Sequence, residues 1–580
     1  VPVSVATTDE VTLAMQKLQT DISMLDARVA ALEAGTGTPP DPEEPPDPEE
    51  PPDEIDPPDP PVTTGRAAII TIGSDQHVFS QDGGVDLGDY HDPQGRFVQH
   101  CIASRCDTLP DWTVFFRPDA DGSREEVVVE FGRCHNAADL QYNGSPSAII
   151  GAYTATIKQD DTTLATINVP CHYFYSRWRW QSAPRPVTAK AADLIKAKLV
   201  PNLDKGLVPG MRATVHTDDG PMQPNGITGY MGQTGEREDI GVLTEGQADY
   251  LMYEDAQGLQ TIRAWVEGSG SFPQHERDET TFAPIDFVNT YPMVSSYSNG
   301  YGEPQVATYW TYEEILSPDT SHAPDCTYIP FLLTGDTYAL EELQFTATHD
   351  YVAQSRTKDF CMSMSLRSYA WHMRNVAHCT IATPDNVPKW LHPKSYWQTY
   401  LDRALAYSLD IGPHQAPDTW QQRFRDISVG VNTGGEVSCL MEEYTMAVYL
   451  HMVDLGLTGW DELRDWKIAG DIARTDGVCG YNRSIPIAYV RHVTAGSPAA
   501  PVHEDWSALW QWNEANDPYY SGADPTQRHL AASAELGYCT YMAGILNWAR
   551  RQGVPDVEPS RDWLGAEMAG RWAYMRWAVA

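Results

Sequence analysis

The sequence is poor in positive charge: 40 Lys and Arg stand against 80 Asp and Glu, a formal net charge of −40 over 580 residues. That excess repels phosphate backbones and anionic lipid headgroups, so neither nucleic acid nor a charged membrane surface is expected as a partner. Long apolar runs are missing as well. None approaches the roughly 20 residues that span a bilayer, so no membrane insertion is expected. Val1–Ala6 has neither the basic start nor the apolar centre of a signal peptide. The ten cysteines include no CxxC pair, which argues against a zinc ribbon and a thioredoxin-like site. Buried thiols packing as small hydrophobes are the expectation, with a Cys101–Cys106 disulfide left open. No cofactor is implied.

What is present is unevenly distributed. Val11, Leu18, Leu25 and Leu32 recur every seven residues, with Met15, Ile22 and Val29 between them. This is the a/d seam of a left-handed coiled coil. β-branched residues at a with Leu at d favour a dimer, whereas Arg28-Val29-Ala-Ala-Leu32-Glu33 resembles the Arg-h-x-x-h-Glu pattern of trimers. We favour a homotrimer. Residues 39–61 then hold 12 Pro, 10 acids and Ile55, with PPDPEE occurring twice. Such a chain is polyproline II extended further by like charge, a spacer on the order of 70 Å at ~3.1 Å per residue. The remaining body carries −27 of its own.

From Arg66 to about Pro186 short β-rich runs alternate with Asp/Gly turns: Ala67–Ile72, Trp112–Phe116, Glu126–Phe131, Ile149–Ile157 and Thr163–Val169. This spacing predicts an antiparallel β-sandwich. The aromatic segment His172–Trp180, with Arg177 and Arg179, is expected to pack at a domain seam against acids of the body. From Ala189 onward about ten helices are predicted, among them 245–267, 337–354, 366–380, 437–455 and 563–578. The turn Thr334-Gly335-Asp336 predicts a left-handed C-cap followed by an N-cap, hence two antiparallel helices. Helices in hairpin order suggest an α/α toroid. The fold class is therefore multidomain α+β: a trimeric coiled coil over 1–35, a Pro-Asp-Glu linker over 36–64, a β-sandwich-like domain over 65–187 and an α/α-toroid-like domain over 188–580.

Three stretches carry a resemblance. The first is Asp319-Thr-Ser-His322-Ala-Pro324, followed by Tyr328-Ile-Pro330, Thr334-Gly335-Asp336, Tyr338-Ala-Leu-Glu341-Glu342-Leu343 and Arg367-Ser-Tyr-Ala-Trp371-His-Met-Arg374. The second is Tyr230-Met-Gly-Gln-Thr234-Gly235-Glu236-Arg237-Glu-Asp239, and the third is His275-Glu-Arg277-Asp278-Glu279. Together they resemble the helical part of bacterial and phage proteins on the α/α-toroid plan, shared by glycoside hydrolases and polysaccharide lyases. The coiled coil and acidic stalk resemble the attachment end of a phage tail fibre or spike.

The resemblance implies a virion appendage that binds other tail or head proteins through its N-terminal segment. It would recognise a host-surface polysaccharide, and cleavage of that polysaccharide by the toroid is a second expectation beside it. A secreted or extracellular bacterial polysaccharide enzyme, and a purely structural fibre with an inactive toroid, are the alternatives. Inverting hydrolysis needs two carboxyls ~6.5–9.5 Å apart, and Asp239, Asp278, Asp319 and Asp325 are candidates. A lyase needs a base and cations that neutralise a uronate. His275, His322 and Tyr328 fit the base, and Arg237, Arg277 and Arg374 fit substrate binding. Trp371 and the cluster Trp506, Trp510 and Trp512, with Tyr519 and Tyr520 in what reads as a loop, are candidate sugar platforms. Each has a plainer reading: Asp325 and Asp336 as helix caps, Arg367 and Arg374 as partners of Glu341 or Glu342, and Trp371 as core. Asp319, His322 and Asp325 include metal-ligand types, but no spacing fixes a site, and no metal is assigned. The global charge makes a neutral glycan the easier substrate.

Overall fold

A computed structural model describes residues 65–135, 149–229, 231, 237–291, 316–353, 365–427, 434–483, 485–488, 490–517, 520, 536–568 and 572–580. The predicted coiled coil and stalk, the Tyr230 and Thr234–Glu236 part of the second stretch, and Tyr519 lie outside them. The chain divides into two units, Val1–Pro61 and Val62–Ala580, and every described residue belongs to the second.

The fold is mixed α and β, with antiparallel sheets ahead of the helices. A five-stranded sheet contains β3 (Val85–His91), β4 (Val98–Cys106), β5 (Leu109–Phe116), β6 (Glu126–Phe131) and β12 (Ser176–Gln181), in the order β12-β6-β5-β4-β3. A four-stranded sheet runs β10-β9-β1-β2, from β1 (Arg66–Ile72), β2 (Asp75–Ser80), β9 (Tyr153–Gln159) and β10 (Thr162–Val169), and the two-residue strands β7 (Cys134–His135), β8 (Ile149–Ile150) and β11 (His172–Tyr173) fall between these in sequence. The two-residue alternation of a strand explains what the larger sheet does. Along β6, Val127, Val129 and Phe131 enter a cluster shared with Ala68, Ile70, Ala155 and Ile157 of the four-stranded sheet. Val128, on the opposite face, joins the helical core, and Glu126 and Glu130 point the same way. β6 is buried along its whole length. β12 repeats the scheme, with Trp178 inward and Arg177 and Arg179 toward the helices.

Thirteen α-helices are present among the described residues: α1 (Ala191–Lys196), α2 (Glu245–Tyr253), α3 (Ala256–Ser269), α4 (Tyr328–Thr334), α5 (Thr337–Val352), α6 (Leu366–Ala382), α7 (Lys394–Ile411), α8 (Trp420–Phe424), α9 (Cys439–Asp454), α10 (Trp460–Thr475), α11 (Trp506–Asn516), α12 (Leu536–Arg551) and α13 (Glu558–Glu567). Consecutive helices pack as pairs, α2 on α3, α4 on α5, α6 on α7, α9 on α10 and α12 on α13. α6 also packs on α5 and α9, and α9 on α12.

The α4–α5 hairpin forms as its turn dictates. Gly335 caps α4 at φ 72°, and the Asp336 carboxylate accepts from the Tyr338 amide. Other spans differ from expectation. The helix expected over 245–267 breaks where Glu254 turns left-handed (φ 48°) and Asp255 caps α3 through the Gly258 amide. The span 563–578 resolves into α13 and a 3-10 turn, Met575–Trp577. Trp506–Asn516 is a helix capped by Asp505, not a loop.

Sheet and helices meet through charge. α5 is buried at every position except Thr346, so its acids cannot reach solvent. Glu341 takes Arg117 at 2.8 Å, Arg277 at 2.9 Å and Arg177. Glu342 takes Arg177 at 2.5 Å and His275 at 3.0 Å. All four side chains around these two carboxylates, and the carboxylates themselves, are fully buried. Removing one member of such a buried pair costs roughly 3–5 kcal/mol, because the remaining charge loses its partner. Arg177 and Arg179 therefore sit at the seam as expected, whereas Arg374 leaves Glu341 and Glu342 to other partners. None of the nine described cysteines forms a disulfide, so Cys101 and Cys106 are not joined.

Candidate functional site

The segments leading into α2, α4 and α6 converge. Gln247, in the first turn of α2, donates to the Asp325 carbonyl at 2.8 Å. Ser365, the N-cap of α6, meets Ser321 at 3.2 Å, and Ser368 meets Ser321 at 2.8 Å. At this junction Asp319 opens a short 3-10 turn, Thr320–His322. One carboxylate oxygen accepts from the Ser321 amide at 2.8 Å, and the other faces His322 Nδ1 at 2.9 Å.

Asp319 and His322 form a dyad with a defined proton arrangement. Burial acts to raise the Asp319 carboxyl, but the His322 hydrogen bond and charge and the Ser321 amide outweigh it and hold the group below its ordinary value. Burial holds the His322 imidazole below its ordinary value, opposed by Asp319 and reinforced by the charge of Arg367. The ring is therefore neutral at neutral pH, with Nδ1–H donated to the carboxylate. The lone pair is then on Nε2, which makes no hydrogen bond among the described residues. A carboxylate that fixes the tautomer and stabilises the imidazolium formed later is how such dyads act as general bases.

Two arginines hold the turn. Arg237 donates to the His322 carbonyl at 3.0 Å, to the Met231 carbonyl at 2.7 Å and to Asp239 at 3.0 Å. Asp239 is itself buried and accepts from the Thr228 amide at 3.1 Å. Arg374 is buried and donates to the Ala323 carbonyl at 2.8 Å, to Asn375 at 3.1 Å and to the Gly241 carbonyl. Expected as substrate contacts, these guanidiniums bind backbone and position the dyad instead. Asp239 is the counter-charge of Arg237, and Asp325 and Asp350 are the acids whose charge acts on Arg374.

Below the turn lies a buried polar column. Asp325 caps α4 through the Thr327 and Tyr328 amides, both at 3.0 Å, and pairs with His378 Nδ1. His378 Nε2 meets His451 Nε2 at 2.8 Å. The Tyr328 ring stacks on His378 at 3.7 Å, and its hydroxyl donates to the Leu199 carbonyl. Burial raises the phenol well above its ordinary value, which removes Tyr328 as a base.

Asp350 of α5 accepts from Asn375 at 2.7 Å. Burial pushes its carboxyl up to about 7, with the charge of Asp319 adding to that shift. Sequence reasoning missed Asp350. No local signal marks it: its raised proton affinity comes from burial of the whole helix.

The other candidates lie elsewhere. His275 bonds Glu342 and the Tyr175 carbonyl, and Arg277 bonds Glu130 and Glu341 within the sheet–helix seam. Asp278 caps a turn through the Thr280 and Thr281 amides. Trp371 is fully buried and its ring packs 4.8 Å from Tyr444. Trp506 and Trp510 pack on Tyr481, and Trp510 also on Tyr520, so these two rings belong to a small separate core, while Trp512 is half-buried against His492. Among the described residues no three His, Cys, Asp or Glu converge to hold a metal ion, and no helix is long and apolar enough to cross a membrane. The chain matches no protein-family model, no curated protein and no solved structure.

Proposed function

We propose that this chain is a virion tail fibre or spike protein that recognises a host-surface polysaccharide and hydrolyses it at the Asp319–His322 dyad. In this reading the two sheets are a β-sandwich, and the helical pairs form an α/α toroid with the dyad at its mouth. Residues 1–35 trimerise and 36–64 are the stalk. The order of parts along the sequence supports the appendage. The dyad carries the activity: a neutral imidazole, oriented by a carboxylate, with Nε2 unengaged among the described residues. His322 Nε2 takes the proton of an attacking water, and Asp319 stabilises the resulting imidazolium. Asp350 is buried and bonded to Asn375, so it is a neighbour of the dyad and not its acid, and the leaving oxygen takes its proton from solvent.

One observation favours elimination from a uronate instead. The charge of Arg367 acts on both dyad members and would neutralise a substrate carboxylate, leaving His322 to remove a carbon-bound proton.

The test is incubation of the purified chain with capsular and surface polysaccharides from a panel of bacteria. New reducing ends without unsaturation indicate hydrolysis, and unsaturated uronates indicate elimination. Asp319→Asn and His322→Ala should each lower the rate roughly 10²–10⁴-fold, the usual contribution of general acid–base catalysis, while binding of the polymer persists. Binding with unchanged polymer length across the panel would leave a recognition protein without catalysis.

A further inference from the structure

A second feature lies at the other end of α4 from the dyad. β12, α3 and the α4–α5 hairpin enclose a crevice of about 760 Å³, within the range of ~300–1,000 Å³ usual for small-molecule sites. Leu259 and Pro330 supply apolar lining, and Arg179, Glu267 and Asp336 supply charge.

The charges are matched. Arg179 bridges Glu267 at 2.6 Å and Asp336 at 2.8 Å, and also reaches Glu126 at 3.1 Å. Arg263 faces the same space as Asp218. A fully charged ligand would find no net counter-charge, so a neutral one fits. The free hydrogen-bonding capacity is of two kinds. Among the described residues the Arg263 guanidinium makes one bond, to the Arg185 carbonyl at 2.8 Å, so other N–H groups remain to donate there. The carboxylates have lone pairs beyond those that Arg179 occupies. Neighbouring hydroxyls on a sugar ring both donate and accept, and they match a wall where guanidinium and carboxyl groups stand together over apolar side chains.

We propose that this crevice binds a neutral, hydroxyl-rich ligand, a hexose-sized glycan unit, at a site separate from the dyad. Its position beyond the opposite end of a seven-residue helix makes it an anchoring subsite and not a reaction centre. Binding here is read without any cleavage, so its failure and the failure of the hydrolytic reading are distinguishable.

The experiment is isothermal titration and saturation-transfer NMR on full-length protein with glucose, galactose, mannose and N-acetylglucosamine as probes, and putrescine and sulfate as charged controls. At least one sugar should bind saturably, and Leu259→Trp, which fills the crevice, and Arg263→Ala should each weaken it at least ~10-fold. Ala256→Trp, on the surface-exposed start of α3 and also lining the crevice, provides a second filling variant if Leu259→Trp misfolds. The proposal is overturned if no sugar binds, if binding is unchanged in the variants that fold, or if a charged control binds more tightly than every sugar.

Discussion

Asp350 is the residue whose chemistry leads furthest. Its folded proton affinity is raised from 3.8 to about 7, first by burial, with the charge of Asp319 adding to it. The sign of the stability effect follows from linkage. A carboxyl that holds its proton more tightly when folded contributes stability in full below its unfolded value of 3.8, and loses it as pH rises toward 7. Glu443 of α9, raised to about 7 by burial with the charge of Asp471 adding, acts in the same direction. Asp350→Asn preserves the shape of the protonated acid and can keep a hydrogen bond with Asn375. Urea unfolding at pH 5 and pH 8 should therefore show a shallower pH dependence in the variant. At pH 8 the variant should be the more stable, by up to about 4 kcal/mol at ~1.4 kcal/mol per pKa unit. Identical pH slopes in the two proteins would show that Asp350 does not titrate in this window. Asp350 also shows what a linear reading loses. The sequence marks Asp319 and His322 through a local turn three residues long, but Asp350 acquires its raised proton affinity only when α5 is buried and packed on α6.

At the scale of elements, the α4–α5 hairpin was legible because its signals are local. Thr334-Gly335-Asp336 specifies a left-handed cap and an N-cap whatever surrounds them. The tertiary setting adds a demand that the sequence does not show. A Cβ on Gly335 would lie 2.1 Å from the Arg96 guanidinium and 2.8 Å from the Asp92 carboxylate, which bond each other. Gly335→Ala must therefore bear the left-handed penalty of roughly 1–2 kcal/mol and also displace that ion pair. A denaturation midpoint lower by the equivalent of at least ~2 kcal/mol is expected, whereas Gly553→Ala, left-handed at φ 74° with open space around its Cβ, should show the backbone penalty alone. Equal losses would mean that the Arg96–Asp92 pair yields without cost. Elements without such punctuation were read less well. The break between α2 and α3 rests on Glu254 in a left-handed conformation, which nothing in its residue type announces. The 506–520 cluster reads as a platform of exposed aromatics because Trp suits both a sugar face and a core. Only the approach of Tyr481 and Phe424 from distant sequence decides for the core.

For the whole molecule, the charge deficit and the proposed trimer are in tension. Each copy carries −40, of which ten negatives lie in residues 39–61 immediately after the proposed coiled coil. In a parallel trimer three such stretches start side by side. The seam that must oppose their repulsion is about three heptads long, and helices of ~12–15 residues are marginal alone in water. In the proposed trimer an Arg28–Glu33 pair would be a surface ion pair, worth only ~0.2–1 kcal/mol. Repulsion therefore dominates the electrostatics of assembly, even though salt also weakens the favourable pairs. Raising ionic strength from 0.1 M to 1 M shortens the screening length from ~10 Å to ~3 Å, which should quiet the repulsion between stalks more than it costs the seam. Sedimentation equilibrium of the full-length chain should accordingly show three copies per particle, with association tightening as salt rises. Leu25→Asp, which places a charge in the seam, should give a single copy at every salt concentration. A full-length chain that stays monomeric in 1 M salt, or forms a dimer that salt loosens, would assign the heptads another role and remove the multivalency on which a fibre reading depends.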